Sequence, residues 1–443
     1  MRVLFIEVDT ERSWAVAGIG PAFIASWLRQ HGHEVLFLRA TLDHDSEAIE
    51  SAVREAAPDI IGMSLTTRQW QRARSLARVL LDRFEIPLIA GGLHPTFAPE
   101  VVLNSPGFDY VCLGEGEVAL LELIEALESG GPVDSIPNIW ARGGQRPVLR
   151  PPFEPIDQLP FMARDMLDEP SGVIHMATQR GCPFPCTYCA ARMFNQLYEG
   201  TGQYGRRRSH GNVLDELIGL RDEGKLSYVI YLDDTFTIYR RWVKEFCRVY
   251  AESLRVPFSL HARVETVTQD MLRMLADAGC NQITYGVESG SEQVRREVMQ
   301  RGVENQRFHD VFKWTRDVGI QVTANYMLGL PGETRDDLQQ TLDLAEELDV
   351  LDFGYFVFYP YPGTQLFNEC VQKGYLPEDY LERPANHRES ILKLPGITQQ
   401  DISEFYDKFT ELRQRRFRRL GVELPEVQSD GATDHVFELA STG

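Results

Sequence analysis

The sequence predicts an α/β protein: a doubly wound parallel sheet, then a partial barrel of six β/α units, then a small helical region. Three observations predict it. Residues 1–128 alternate short apolar runs, rich in Val, Ile and Phe, with segments of helical spacing. Residues 129–172 lose that alternation in a stretch dense in Gly and Pro. Residues 173–375 resume it.

In the first series "RVLFIEV" reads as a strand, and "GPAFIASWLRQHGH" as a helix closing near glycine. "EVLFLRA", "DIIGMSL", "PLIAGG" and "DYVCLGEGE" supply four more strands, separated by "HDSEAIESAVREAA", "RARSLARVLLDRF" and "APEVVLNS" and followed by "ALLELIEALESG". Such a series builds a parallel sheet whose ligands bind beyond the carboxyl ends of the strands. Those ends are polar or glycine-rich here: Asp9 and Thr10, Ser64 to Thr67, Gly91 and Gly92, Gly114 to Glu117. Residues 129–172 read as a linker with one possible hairpin around "NIWARGGQRPVLR".

The second series offers "VIHMATQ", "YVIYLDD", "FSLHARV", "QITYGVES", "QVTANYMLGLP" and "DFGYFVFYPY" as strands, with amphipathic helices between them. Six units are too few to close an eight-unit barrel, so the barrel is expected to be open. In residues 376–425 a helix over "SEFYDKFTELRQRRFRRLG" carries an apolar stripe and five arginines, expected to be the solvated face of a packed helix. The polar residues 426–443 are expected to be disordered.

Composition excludes several classes. Asp and Glu exceed Lys and Arg 65 to 45, a formal charge of −20 that would repel a phosphate backbone, so no nucleic-acid partner is expected. No apolar run approaches the roughly 18 residues of a membrane span. The opening "MRVLFIEVD" reads as a first strand rather than an export signal. Seven cysteines form no disulfide framework and suit a reducing cytoplasmic compartment.

Three of them fall within "RGCPFPCTYC": Cys182, Cys186 and Cys189. Pro183 and Pro185 forbid a regular helix through this run, which leaves a loop wrapping round a centre. A zinc site would need a fourth ligand such as His175 or His210. A four-iron cluster held by three thiolates would keep one iron open to a substrate.

The CxxxCxxC run, with Tyr188 before the third cysteine and a first barrel strand ahead of it, resembles the signature of the radical S-adenosylmethionine (SAM) superfamily. The resemblance implies a TIM-like partial barrel and a [4Fe-4S] cluster whose open iron chelates SAM. It also implies reductive cleavage of SAM to a 5′-deoxyadenosyl radical, with an electron from an external donor such as flavodoxin or ferredoxin. By the same resemblance Tyr188, Asp233, Asp234, Arg263 and Glu288 are expected around SAM: the aspartates on its ammonium, Arg263 on its carboxylate, Glu288 on its ribose. "MLGLPGET" resembles the family's glycine-rich fifth-strand motif.

A doubly wound, Rossmann-like domain ahead of such a barrel resembles the cobalamin-binding class of this superfamily. The loop after the first strand, "DTERSWAVAGIG", departs from the DxHxxG pattern whose histidine ligates cobalt, so no histidine axial ligand is expected. Trp14 or Trp70 is expected to shield that face, and Ser64, Thr66, Gly91, Gly92, Gly114 and Glu115 to line the cobalamin groove. One amino-terminal cysteine, Cys112, is too few for a methylthiotransferase's second cluster. The expected activity is methyl transfer from methylcobalamin to an unactivated carbon of a small-molecule, lipid or tetrapyrrole substrate, with a cyclase, rearrangement or oxidation enzyme as the alternative. Asn325 on the fifth strand, with Tyr355, Phe356, Tyr359 and Tyr361 on or after the sixth, is the expected substrate wall.

Overall fold

A computed structural model of the chain describes residues 1–10, 18–167, 169–383, 385–419 and 421. It divides into two units. Unit 1 comprises Met1–Asp168, Met193–Arg206 and Tyr361–Gly363; unit 2 comprises Glu169–Arg192, Arg207–Pro360 and Thr364–Gly443.

In unit 1, β1 (Arg2–Val8), β2 (Glu34–Ala40), β3 (Ile60–Ser64), β4 (Leu88–Gly91) and β5 (Tyr110–Cys112) are parallel, and β6 (Ile139–Ala141) adds an antiparallel edge. The order β2-β1-β3-β4-β5-β6 reverses direction at β1, which makes the carboxyl ends of β1 and β3 the switch point where doubly wound sheets bind ligands. The helices are α1 (Ile19–Gln30), α2 (Ser46–Ala56), α3 (Trp70–Arg83), the short α4 (Leu93–Phe97) and α5 (Pro99–Asn104), and α6 (Glu117–Ser129). Apolar cores lie on both faces of the sheet, one built on Leu4, Ile6, Ile61, Met63 and Trp70, the other on Val3, Phe5, Ile89, Leu123 and Ile124. After β4 the chain turns through Gly92 at φ +93°, where a Cβ would fall 2.8 Å from the Leu65 nitrogen, so only glycine fits.

The expected linker is a correction. Residues 129–168 belong to unit 1: β6 pairs with β5, Asn138 N–H donates to the Val148 carbonyl at 3.0 Å, and Ala163 and Met166 join the second core. A Gly/Pro-rich stretch without periodicity still buries its few apolar side chains where a sheet edge offers them a surface.

Unit 2 opens with β7 (Val173–Met176) and includes the two-residue strand β8 (Gln179–Arg180). Helix α7 (Ala190–Leu197) and the two-residue β9 (Arg206–Arg207) follow in the chain. The barrel continues through α8 (His210–Asp222), β10 (Tyr228–Tyr231), α9 (Arg240–Ser253), β11 (Phe258–Ala262), α10 (Gln269–Ala278), β12 (Cys280–Glu288), α11 (Asn305–Asp317), β13 (Gln321–Leu328), α12 (Arg335–Glu347) and β14 (Asp352–Val357). The six long strands pair in parallel in chain order, β7 at one edge and β14 at the other, so the barrel is open.

After β14 come α13 (Gln365–Gln372) and α14 (Gln399–Arg419). The arginines of α14 do more than face solvent. Arg413, nearly buried, grips Asp352 with two bonds of 2.7 Å, and Arg416 donates to the Leu348 and Val350 carbonyls beyond the end of α12. From α12, Arg335 reaches Glu404 at 2.6 Å. Among the described residues no helix is long and apolar enough to cross a membrane. The expected tail, 426–443, lies outside the described residues.

Candidate active site

In unit 2 the cysteine loop begins just past β8 at the carboxyl end of the barrel's first strand. Backbone contacts hold it: Thr187 N–H and hydroxyl donate to the Met299 and Val298 carbonyls, its carbonyl accepts from Leu366 N–H at 3.1 Å, and Arg192 clasps the Pro185 carbonyl and Gln300. Cys182 and Cys186 are buried and Cys189 half-buried. Burial pushes the Cys182 thiol up and the Cys189 thiol up to about 12, because a lone thiolate there loses its hydration. Three enclosed thiols on one wrapped loop fit a cationic iron centre, which would stabilise the thiolates that burial alone disfavours. His175 lies beside Glu169 and His210 against the Trp242 carbonyl; among the described residues no three His, Cys, Asp or Glu are placed to hold a single metal ion.

Asp233 corrects an expectation. Its carboxylate accepts from Thr178 N–H, Gln179 N–H and the Thr178 hydroxyl at 2.7–2.9 Å, so it fastens the turn ahead of the cysteines. Asp234 is the open one. It remains reachable by solvent in a recess where lost hydration, and Asp233 beside it, push its carboxyl up to about 6.

Glu288 ends β12 at a register shift with φ +71°, a strained setting for a side-chain-bearing residue. Its carboxylate folds back over Gly286, where a Cβ would lie 2.3 Å from Oε1. Arg301 locks this arrangement: Nη1 donates to Glu288 Oε1 at 3.0 Å and to the Tyr188 hydroxyl at 3.3 Å, and Nη2 to the Gly286 carbonyl at 2.9 Å. Sequence reading missed Arg301, which follows a π-helical turn (Val294–Val298) with no motif to mark it. Arg263, after β11, lies beside the cysteines. Nη1 donates to Cys186 Sγ at 3.0 Å, Nε and Nη2 donate to Glu265, and the guanidinium stacks 3.9 Å over Phe184.

On β13, Asn325 is half-buried beside Gly354 and Phe356 of β14. Tyr355 is a correction: it faces α14, with its hydroxyl on Thr410 at 2.8 Å and its ring stacked on Phe409. Side chains alternate along a strand, so Phe356 takes the opposite face. Tyr359 is buried, its hydroxyl 3.5 Å from the Tyr380 carbonyl. Past β13, Glu333 Oε2 accepts from Gly329 and Leu330 N–H, and burial pushes this carboxyl up to about 8.

Unit 1 has a cavity of about 350 Å3 at the switch point, lined among others by Asp9, Ser64, Thr66, Arg68, Gly92 and Leu93. A slot of about 50 Å3 bordered by Ser64, Gly91, Gly92, Gly114 and Gly116 shares part of that lining. Open space walled by glycines fits the nucleotide tail of a corrinoid. No histidine is among the described lining residues. His94, on α4, is buried against Trp70 at 4.8 Å and pushed down to about 4 by lost hydration.

Two expectations for this groove are corrected. Trp70 does not line it; the ring is buried between His94 and Phe108, because it starts the apolar stripe of α3 with Ala73, Ala77 and Leu80. Glu115 pairs with the buried Arg206 and accepts from Phe153 N–H, which leaves its carboxylate committed. Trp14 lies outside the described residues.

Comparison with known proteins supplies the context. Residues 176–345 match the model of the radical SAM superfamily, and residues 15–124 match the B12 binding domain. An uncharacterized methyltransferase of Pyrococcus horikoshii is 28% identical over 92% of this chain and 91% of its own. The anaerobic magnesium-protoporphyrin IX monomethyl ester cyclase of Rubrivivax gelatinosus is 26% identical over 84% of this chain and 70% of its own. In fold, the chain resembles the radical S-adenosylmethionine methyltransferase TsrM of Kitasatospora setae, with a TM-score of 0.75 at 16% identity over 98% of this chain and 93% of that one.

Proposed function

The chain belongs to the radical SAM enzymes that carry an amino-terminal B12-binding domain, and on that premise we propose that it is a cobalamin-dependent methyltransferase acting on an unactivated carbon of a small-molecule, lipid or tetrapyrrole substrate. The observation that carries the proposal is the presence in one chain of a loop enclosing three thiols and a glycine-walled cavity at a doubly wound switch point. Bound there, cluster and SAM would supply a hydrogen-abstracting adenosyl radical, and cobalamin a transferable methyl group.

The protein's own residues do the rest. Cys182, Cys186 and Cys189 hold the cluster. Asp234, open in its recess, takes the SAM ammonium. Glu288, oriented by Arg301 and the backbone at Gly286, takes ribose hydroxyls with its remaining carboxylate oxygen. Ser64, Thr66, Gly91, Gly92 and Gly114 would line the corrinoid groove, and no histidine is among its described lining residues. Asn325 and Phe356 face the substrate. An external flavodoxin or ferredoxin delivers the electron, in a reducing cytoplasmic compartment.

The test is protein purified without oxygen from cells given iron and hydroxocobalamin. About four irons and one corrinoid per chain, with S-adenosylhomocysteine and a methylated product on turnover, are the expected result. The likeness to the Rubrivivax cyclase favours one second reading, cyclisation or oxidation without net methylation. Four irons without corrinoid would sink methyl transfer and leave that reading standing.

A further inference from the structure

We propose that Arg263 and Glu265 set the reduction potential of the cluster held by Cys186, through the hydrogen bond from Arg263 Nη1 to the Cys186 sulfur. The inference rests on the cluster reading above and deepens it.

The geometry is specific. Arg263 is 8% exposed, and its Nη1 lies 3.0 Å from Cys186 Sγ, within the range of an N–H donor to a thiolate. Phe184, inside the cysteine loop, covers one face of the guanidinium at 3.9 Å. Glu265 fixes the guanidinium edge through Nε and Nη2. Ring, sulfur and carboxylate thus hold the charge at one cluster ligand. Cys182 Sγ lies 3.8 Å from the Thr235 hydroxyl, whereas Cys186 takes its hydrogen bond directly from the guanidinium.

Reduction adds one electron to the cluster. A cation and an N–H donor at a ligating sulfur stabilise that added charge and raise the potential, whereas a nearby carboxylate lowers it. The pair therefore acts in opposition. Arg263 makes the cluster easier to reduce by the external donor, and Glu265 limits how far, keeping the reduced cluster strong enough as a reductant for a sulfonium. Arg301, 3.9 Å from the second oxygen of Glu265, extends the same charge network.

The experiment compares wild-type holoenzyme with Arg263→Gln, Arg263→Lys and Glu265→Gln, each reconstituted and assayed for iron, then titrated without SAM while the electron paramagnetic resonance of the reduced cluster is followed. With iron content unchanged, the potential of Arg263→Gln is expected to fall, that of Arg263→Lys to fall less, and that of Glu265→Gln to rise. Opposite shifts from two neighbouring neutralisations are what a general loosening of the site would not produce. If Arg263→Gln loses its iron, the rise in Glu265→Gln and the smaller fall in Arg263→Lys carry the test. Equal potentials in all cluster-bearing variants overturn the proposal while leaving the cluster reading intact. A wild-type chain that takes up no four-iron cluster overturns both.

Discussion

Arg206 Nη1 donates to Glu115 Oε2 at 3.1 Å, joining the glycine-loop carboxylate after β5 to a guanidinium 91 residues further along the chain. Both side chains are nearly sealed from solvent. The Tyr198 hydroxyl accepts from Glu115 N–H, so segment 193–206 is fastened to the rest of unit 1 at two points. Removing one partner strands the other charge. Glu115→Gln or Arg206→Met is expected to cost about 3–5 kcal/mol in urea unfolding, and the double variant less than the sum.

Replacing Cys182, Cys186 or Cys189 with alanine should abolish stable cluster binding, read as iron per chain and loss of the cluster's visible absorption. Cys247, Cys280 and Cys370 are buried on helices or at a strand start outside that loop's sequence, and Cys247→Ala should leave iron content unchanged.

Gly286→Ala should disturb SAM without removing the cluster. Its Cβ would meet Glu288 Oε1 at 2.3 Å and Arg301 Nη1 at 3.1 Å, so the carboxylate must swing away. A loss of SAM affinity of about tenfold, or 1.4 kcal/mol, is expected by equilibrium binding to the reconstituted protein.

Stability should fall as pH rises from about 4.5 to about 8 on account of Glu333. Its folded value of about 8 lies above the ordinary 4.5, so across that interval the folded state holds a proton that the unfolded chain has released. That difference favours unfolding increasingly until both states are ionised, a cost of a few kcal/mol. Urea midpoints between pH 5 and 8.5 should decline less steeply in Glu333→Gln.

The carboxyl-terminal helix offers a contrast between buried and exposed arginine contacts. Asp352→Asn leaves Arg413 without its bidentate partner and should cost about 3–5 kcal/mol. Arg418→Ala, exposed near the helix end, should stay within about 0.5 kcal/mol in the same urea measurement.

Much of this architecture is legible in sequence because strands, helices and the cysteine loop announce themselves over short windows. The misses concern relations that short windows do not carry. Tyr355 and Phe356 lie in an apolar run, "DFGYFVFYPY", where both faces of the strand are apolar and the parity that decides which ring faces α14 is unreadable. Arg301 acquires its role from Tyr188 and Glu288, 113 and 13 residues away. Glu115 reads as a loop-end carboxylate until its distant partner is in place. Trp70 was within reach, since its spacing with Ala73, Ala77 and Leu80 already marks a buried helix stripe.

Unit 1 is discontinuous in the chain, and this bears on how such a protein could be cut and recombined. Phe194 packs on Phe97 at 5.1 Å, and a Cβ at Gly363 would strike Met193 and crowd Phe97, so pieces from three stretches of sequence complete one fold. A chimera spliced at the apparent border near residue 128 would separate β6 from β5 and abandon residues 193–206 and 361–363. Exchange of the amino-terminal module between relatives therefore requires grafting those two short pieces along with it, a constraint on both engineering and gene shuffling.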